Sequence, residues 1–397
     1  MTSIPTPSPV ALDRLRVAVI KGVVIPEQLT LWRACRDMGA DITVIGTDAN
    51  IYKGTWPWQP RRPEELPSVL LDPITPSLAR GQLWWAYRGL RRTLSRIRPD
   101  IIHITSEPWG ALVVQALLVQ RLAGPHVPVS IHIAENIYMQ GSSAERTIRA
   151  LVLRAVMPRL DGVATWSREV VALARREGLR SVPTTVVPEI IPDPATFEPA
   201  EPARRRALRR RFDLPLDEVV VGYVGRLHEQ KGIHDLLAAF QCLGATAPFL
   251  ALWGAGPLQD LVERTLKDGH LRGRFGGALE LYEVAEALQA CDVLVVPSRT
   301  TPEFKEQFGR VIVEAMLAGC AVVASRSGAI PEVVGDSARL VDEGDVTGLA
   351  ATIQQLVSDP SARQELAAKG RQQALRRFHP NVLARKMMRF WSEVITQ

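Results

Sequence analysis

Residues 295–336, VVPSRTTPEFKEQFGRVIVEAMLAGCAVVASRSGAIPEVVGD, read as one strand, loop, helix and strand. The β-branched run DVLVVPS at 292–298 has the length and composition of a buried strand, and it ends at Ser298. A polar loop follows, a helix begins near Gly309, and AVVAS at 321–325 forms the next buried strand. The same alternation continues upstream, with strands in EVVVGYVG at 218–225, FLALWG at 249–254 and GRFGG at 273–277. Strands that alternate with amphipathic helices build a parallel, doubly wound sheet.

The pattern occurs twice. RVAVI at 16–20, DITVIG at 41–46, DIIHI at 100–104, VPVSIHI at 127–133, VATW at 163–166 and TTVVP at 184–188 give another sheet of at least six strands, with helical segments such as 27–38 and 110–122 between them. The stretch PEIIPDPATFEPAEPA at 188–203 cannot hold a helix or a ladder, because each proline lacks the N–H donor. The reading is therefore α/β with two doubly wound, parallel-sheet, Rossmann-like domains. The first spans 14–187 and a linker 188–215. The second spans 216–376, and a last helix at 377–397 is expected to return to the first domain. A chain of 397 residues suits two such cores.

Composition narrows the function less than the pattern does. Apolar residues make up 46% and charged residues 23%, as in ordinary globular proteins. The four cysteines, Cys35, Cys242, Cys291 and Cys320, lie far apart without a C-x-x-C pair and read as reduced packing residues. No run approaches the length of a membrane span, and the proline-rich start MTSIPTPSPVALD reads as a disordered leader, so a cytoplasmic protein is expected. A net charge of +6 implies attraction to something anionic without naming it.

The loop between Ser298 and Gly309 concentrates the chemistry. A helix start exposes unpaired N–H groups and binds anions, and Gly309 lets the backbone approach a diphosphate. Glu306 stands just outside that helix, where its carboxylate can accept hydrogen bonds from sugar hydroxyls, while Glu314 lies more than a turn inside it in an apolar setting. The ordered set of Glu306, Phe308, Gly309, Glu314-Ala315-Met316 and the Gly328-Ala329-Ile330-Pro331-Glu332 turn resembles glycosyltransferase family 4. That resemblance implies the GT-B fold, with two Rossmann-like domains facing a cleft, and retaining transfer of a sugar from a nucleotide-diphosphate donor. It assigns the transferred sugar to Glu306 and the ribose to Glu314, with Gln307, Phe308 and Gly309 among the donor contacts.

VVVGYVGRLHEQKGIHDLL at 219–237 resembles the family's strand, GRL and KG segment, which makes Arg226 and Lys231 the diphosphate-binding cations. The chemistry needs them, because a departing diphosphate gains negative charge as the sugar bond breaks. WGAGPL at 253–258 and FGG at 275–277 are similar to the family's glycine loops, and neither contains the G-x-G-x-x-G of a nicotinamide site. In the first domain, HVPVSIHIAENI resembles the family strand that carries Ser130 and a catalytic His132, with Asn136 beyond it. His103 and Glu107 in DIIHITSEPWG are further acceptor-side candidates. The loop after the first strand keeps only Gly22 where the family has several glycines, and Gly22 is carried over as a donor contact.

Two basic segments remain. Residues 73–99 hold Arg80, Arg88, Arg91, Arg92, Arg96 and Arg98 with Trp84 and Trp85. Tyr87, Leu90, Leu94 and Ile97 there follow the helical period. This suits peripheral contact of 78–98 with an anionic membrane, at the inner surface for a cytoplasmic protein. The arginines at 204–211 read as a solvated helix, and with only Phe212 nearby they do not make a nucleic-acid site. No cofactor and no metal is expected, since no His, Cys or Asp cluster has ligand spacing. The acceptor stays open among glycan, lipid-linked and small molecules. The alternatives are a nucleotide-sugar epimerase of the same fold and a non-catalytic basic protein that binds membrane or nucleic acid.

Overall fold

The computed structural model describes residues 15–48, 66–74, 86–122, 126–137, 142–269 and 271–397. The expected leader and the part of the basic segment at 75–85, with Arg80, Trp84 and Trp85, lie outside them. The chain divides into two compact units, residues 1–190 with 380–397, and residues 191–379.

The first unit contains, in chain order, β1 (Arg16–Val23), α1 (Thr30–Asp37), β2 (Asp41–Thr47), β3 (Ser68–Leu70), β4 (Pro73–Ile74), β5 (Ala86–Tyr87), α2 (Leu90–Ile97) and β6 (Ile101–Thr105). It continues through α3 (Ala111–Leu122), β7 (Val129–Ile133), α4 (Ser143–Val156), β8 (Gly162–Thr165), α5 (Arg168–Arg176) and β9 (Thr184–Val186). The main sheet is parallel with order β3-β2-β1-β6-β7-β8-β9. Alternation along each strand sorts side chains to two faces. Ala18, Ile20, Ile102, Ile104, Ile131 and Ile133 share one core with the buried residues of α2, α3, α4 and α5. Ser142 and Glu145 start α4 with a capping box, which satisfies two backbone donors at once.

The second unit contains α6 (Pro202–Arg211), β10 (Val220–Val224), α7 (Ile233–Leu243), β11 (Phe249–Trp253), α8 (Gln259–Lys267), β12 (Gly273–Phe275), α9 (Leu281–Ala290) and β13 (Val293–Val296). After these come α10 (Arg310–Leu317), β14 (Ala321–Ser325), α11 (Ile330–Val334), β15 (Arg339–Val341), α12 (Val346–Ser358) and α13 (Pro360–Phe378). Its parallel sheet has the order β12-β11-β10-β13-β14-β15. Asp345 and Asp359 cap α12 and α13 through the amides of Gly348 and Ala362, at 2.8 and 2.9 Å. The last helix, α14 (Pro380–Ile395), belongs to the first unit, where Trp391 stacks on Trp32 of α1 with ring centroids 6.0 Å apart. It starts at Pro380, later than residue 377, because α13 runs on to Phe378 and proline fits only a helix start.

Several details differ from the sequence reading, the short strands β3, β4 and β5 among them. The first strand does not end at Ile20: β1 continues past a register shift to Val23, so Gly22 lies within the strand, and Tyr87 Oη donates to its carbonyl. β15 is an additional short strand. The expected linker contains α6, whose arginines are not all solvated. Arg209 is buried, with Nε donating to Ala290 O at 3.0 Å, Nη1 shared among the carbonyls of Pro215, Leu216 and Glu218, and Nη2 on Asp292 at 2.6 Å. Asp292 also accepts from Arg205 at 2.7 Å and from the amide of Val220 at 2.8 Å. A guanidinium can be buried when its donors are all engaged, and here it fastens α6 to the starts of β10 and β13.

Removing Arg209 would leave Asp292 without its shortest partner and take a donor from four carbonyls. Arg209→Leu should destabilise the second unit by about 3 kcal/mol, whereas Arg210→Leu on the exposed side of α6 should cost less than about 0.5 kcal/mol. Calorimetric unfolding of the two variants checks this, and equal transitions would show that the network contributes nothing.

Candidate functional site

In the second sheet β10 runs out to β11 on one side, and β13 lies on the other, so the strand order reverses between β10 and β13. Ligands of open α/β sheets bind outside the carboxyl ends of the strands at such a point. The segment after β10 carries Arg226 and Lys231, and the loop after β13 carries Ser298, Phe304 and Glu306. The structure brings these together. Lys231 Nζ lies 2.6 Å from Glu306 Oε2, and Ser298 Oγ donates to the same oxygen at 2.9 Å. The Lys231 ammonium also sits 4.6 Å from the centroid of the Phe304 ring. Glu306 is therefore a buried, hydrogen-bonded carboxylate, not a loop charge in solvent.

Its position is fixed through backbone. The Ala329 amide donates to Glu306 O at 2.9 Å, and Gly328 at φ +51° presses against the Glu306 main chain so closely that a Cβ would collide with it. Only glycine suits both the left-handed conformation and the contact. The glycine of the G-x-P-E turn thus works on Glu306. Gly309, at φ +74°, precedes the first turn of α10. On the other side of the site, Tyr223 Oη donates to the carbonyl of Arg226 at 2.7 Å, and the exposed Arg226 guanidinium makes no ion pair among the described residues.

Glu314 faces inward from α10. Arg310, one turn earlier, donates to it across 2.8 Å. Burial pushes the Glu314 carboxyl above the usual range, and Arg310 opposes that shift. Gln307 is half-buried. Phe308 is buried edge-to-face against Phe378 at 5.3 Å, so any donor contact there falls to its backbone. The sequence reading omitted Phe304, Arg310 and a role for Ser298. An Arg and a Glu four apart on one helix signalled the second of these, while the first needed the fold.

In the first unit the strand order reverses between β1 and β6. His103 and His132 lie on the sheet face opposite to α2 and α3, beneath Trp32 and, for His103, Trp391 and Phe390. His132 Nε2 meets the Val187 carbonyl at 2.6 Å, so that nitrogen must carry the proton. Its Nδ1 then accepts from His103 Nε2 at 3.4 Å, and His103 Nδ1 accepts from Ser130 Oγ at 2.8 Å. Burial lowers the His103 pKa well below normal and takes His132 down to about 4. Both rings are buried within their strands, with their nitrogens engaged by Ser130, by each other and by the Val187 carbonyl. Beside them Lys21 pairs with Glu189, which Trp32 Nε1 also reaches at 3.4 Å; the sequence reading missed all three.

Glu107 stands instead on the loop after β6, at the edge where the strand order reverses. Its Oε1 accepts from the amides of Ala134 and Glu135 at 3.3 and 3.1 Å, while its buried Oε2 has no hydrogen-bond partner among the described residues. Burial, with Glu135 adding to it, pushes the carboxyl up to about 8. Asn136 is buried on the adjoining loop after β7. Among the described residues no three His, Cys, Asp or Glu side chains converge as a metal site, and no helix is long and apolar enough to cross a membrane.

Known proteins match both units. Residues 204–373 match the family described as glycosyl transferases group 1, and residues 26–189 match the glycosyl transferase 4-like domain. The 2-deoxystreptamine glucosyltransferase of Streptomyces kanamyceticus is 31% identical over 274 residues, which cover 66% of this chain and 68% of that one. Among solved structures, sucrose-phosphate synthase from Thermosynechococcus elongatus has a TM-score of 0.71 at 21% identity, covering 96% of this chain and 100% of that one. Anabaena HepE in complex with UDP has a TM-score of 0.73 at 21% identity, covering 95% and 99%. Both share the fold, two parallel α/β sheets of the GT-B type, with seven and six strands here.

The raised pKa of Glu107 means that folding favours its protonated form. Stability is fully present below the unfolded pKa, near 4.5, and is lost as pH rises toward 8. Glu107→Gln keeps an acceptor for both amides and carries no charge. Its melting temperature should match that of the parent near pH 5 and exceed it by several degrees at pH 8 and above, a difference that thermal melts across that range would measure. A gap that does not change with pH would refute the buried-acid assignment.

Proposed function

Since the chain belongs to the group 1 glycosyl transferases, we propose that its second unit holds the nucleotide-sugar donor as the family resemblance implies. Arg226 and Lys231 bind the diphosphate, Glu306 the transferred sugar, Glu314 the ribose, and the backbone of Gln307, Phe308 and Gly309 lines the donor. The chain is a glycosyltransferase of the retaining family 4 type and takes its sugar from a nucleotide-sugar donor. That sets aside the epimerase and the non-catalytic binding protein. The carrying observation is the 2.6 Å contact between Lys231 and Glu306 at the carboxyl ends of β10 and β13.

The pair gives two services at one place. Glu306, held by Lys231 and Ser298, places its carboxyl group where sugar hydroxyls would hydrogen-bond. Lys231, only partly exposed, holds its charge where a diphosphate leaving group would gain its own, and Arg226 supplies a second cation from the solvent side. Cations fixed beforehand stabilise that developing charge without reorganising, an effect of about 3 kcal/mol for one donor. In retaining transfer the acceptor hydroxyl attacks from the face that the diphosphate leaves, and its proton passes to a diphosphate oxygen. No separate base is then required, which agrees with the two histidines being locked in the core.

The acceptor end is proposed for the first unit, at Glu107 and Asn136. With two amides on Oε1, a protonated Glu107 carries its proton on Oε2 and offers one buried hydrogen-bond donor to an acceptor oxygen. Gly22 is retained as a backbone contact at the end of β1. Peripheral contact with an anionic membrane through 78–98 is a second proposal, favoured by α2, where Arg91, Arg92 and Arg96 are exposed and no acidic residue stands on the helix.

Crystals of Anabaena HepE hold UDP-glucose, which makes UDP sugars the first donors to try in a thermal-shift comparison with GDP and ADP sugars. With the donor so found, Lys231→Ala and Glu306→Gln should each lower kcat by about a hundredfold or more. Glu314→Gln should mainly raise the donor KM, by about tenfold, because ribose binding is nearly the same in ground and transition states. Steady-state kinetics separate the two effects. Unchanged kcat in both of the first variants would overturn the donor-site assignment.

A further inference from the structure

The helix layer α2, α3 and α4 covers one face of the first sheet, and its outer side is not that of an ordinary polar surface. Val114, Leu118 and Val119 of α3 and Ile148 and Val152 of α4 line a groove of about 500 Å³ over Trp109. Leu118 and Leu151 are 56% and 60% exposed, which is unusual for leucines on a helix surface. On α4 the exposed residues Ala144, Ile148, Leu151 and Ala155 follow one helical face, in addition to the face that buries Leu153 and Val156. The one polar side chain in the groove, Gln115, is turned to other use. Its Oε1 accepts from the Tyr87 amide at 2.9 Å and its Nε2 donates to the Tyr87 carbonyl at 2.8 Å.

Arginines outnumber carboxylates on the three helices around this groove. α2 carries Arg91, Arg92 and Arg96, the end of α3 carries Arg121, and α4 carries Arg146, Arg149 and Arg154, with Glu145 the sole carboxylate on the three helices. Glu145 is held by Ser142 in the capping box, and the Arg149 guanidinium lies 5.1 Å from the centre of the Trp109 ring at the groove floor. An apolar strip bordered by arginines is the pattern of a surface that lies in the headgroup region of an anionic bilayer, with side chains in the acyl boundary and guanidinium groups at the phosphates. We propose that the outer face of α3 and α4 docks on an anionic lipid leaflet, with Leu118, Ile148 and Leu151 entering the apolar layer.

This deepens the membrane contact proposed for 78–98: it supplies the apolar anchor that arginines alone lack, and places it on a different pair of helices. It also bears on the acceptor. Trp109 is two residues from Glu107, so a leaflet against α3 and α4 would bring lipid beside the loop proposed for the acceptor end. A lipid-linked acceptor fits that placement.

The test uses the full chain and vesicles of phosphatidylcholine, with or without phosphatidylglycerol, at low salt. The parent should sediment with anionic vesicles and not with neutral ones. Leu118→Asn with Leu151→Asn adds no charge and removes no core packing, since both side chains face outward. It should leave the melting temperature unchanged and lower the vesicle partition at least tenfold. Partition equal to that of the parent would overturn the proposal. If it is kept in this double variant but lost when Arg91, Arg92 and Arg96 are replaced by glutamine, the contact through 78–98 stands and the groove does not. If the parent fails to sediment with anionic vesicles, both fall. A discrete dimer in sedimentation velocity without vesicles, abolished by the double variant, would give the groove to a second copy of the chain and overturn it too.

Discussion

In a parallel sheet each strand must be re-entered by a crossover, so all carboxyl ends lie on one edge, and where the strand order reverses two neighbouring loops part in opposite directions. The arrangement of loops in each unit hangs on this constraint. In the second, the reversal between β10 and β13 lets Lys231 reach Glu306 although 75 residues separate them. Arg226, Ser298 and Phe304 collect there for the same reason. In the first, the reversal between β1 and β6 puts Lys21 and Gly22 at the end of one strand and Glu107 on the loop after the other. The position of a residue relative to a strand end therefore matters more than its chemical type.

The two histidines show what that rule decides. His103 and His132 are inside their strands, one face of which is closed by α1 and α14, and there an imidazole must find internal partners or remain unsatisfied. They find them in one direction, from Ser130 through His103 and His132 to the Val187 carbonyl. A charged ring in that place would lose its solvation, so both stay neutral. Glu107, just beyond its strand, has the opposite character: two amides hold one oxygen, and the other has no hydrogen-bond partner among the described residues. A buried polar atom that the protein leaves unsatisfied is a better sign of ligand chemistry than a histidine satisfied throughout.

Periodicity and turn residues made the two sheets legible, because a buried strand needs a run such as VVVGYV or DVLVVP whatever it packs against. The motif residues Arg226, Lys231, Glu306, Gly309 and Glu314 were legible by their order along the chain. Partners were not. Lys21 meets Glu189 across 168 positions and Arg209 meets Asp292 across 83, and nothing local in either segment announces the other. The continuation of β1 past Ile20 was hidden by a register shift, and β15 by its length of three residues. The surroundings of His103 were not legible either, because a motif carries residue type and order, whereas Phe390 and Trp391 come from a helix at the far end of the chain.

The two arginine clusters looked alike in sequence and separate once carboxylates are located. Arg205 and Arg209 share Asp292, and Arg211 lies against Glu283 and Glu286, so the charges on α6 are matched by α9 and the start of β13. That matching turns a basic run into part of the fold, since a guanidinium whose donors are filled costs little to bury. Among the described residues no acid stands on α2, and α4 brings only the Glu145 of its own cap. Exposed guanidinium groups such as those of Arg91, Arg92, Arg96 and Arg154 keep a long-range field and attract anions. Next to α4 they border apolar side chains that the core does not use. The +6 charge of the chain is thus unevenly placed: the arginines of α6 are joined to carboxylates, whereas exposed arginines of α2 and α4 lie on the helix layer that carries an apolar groove.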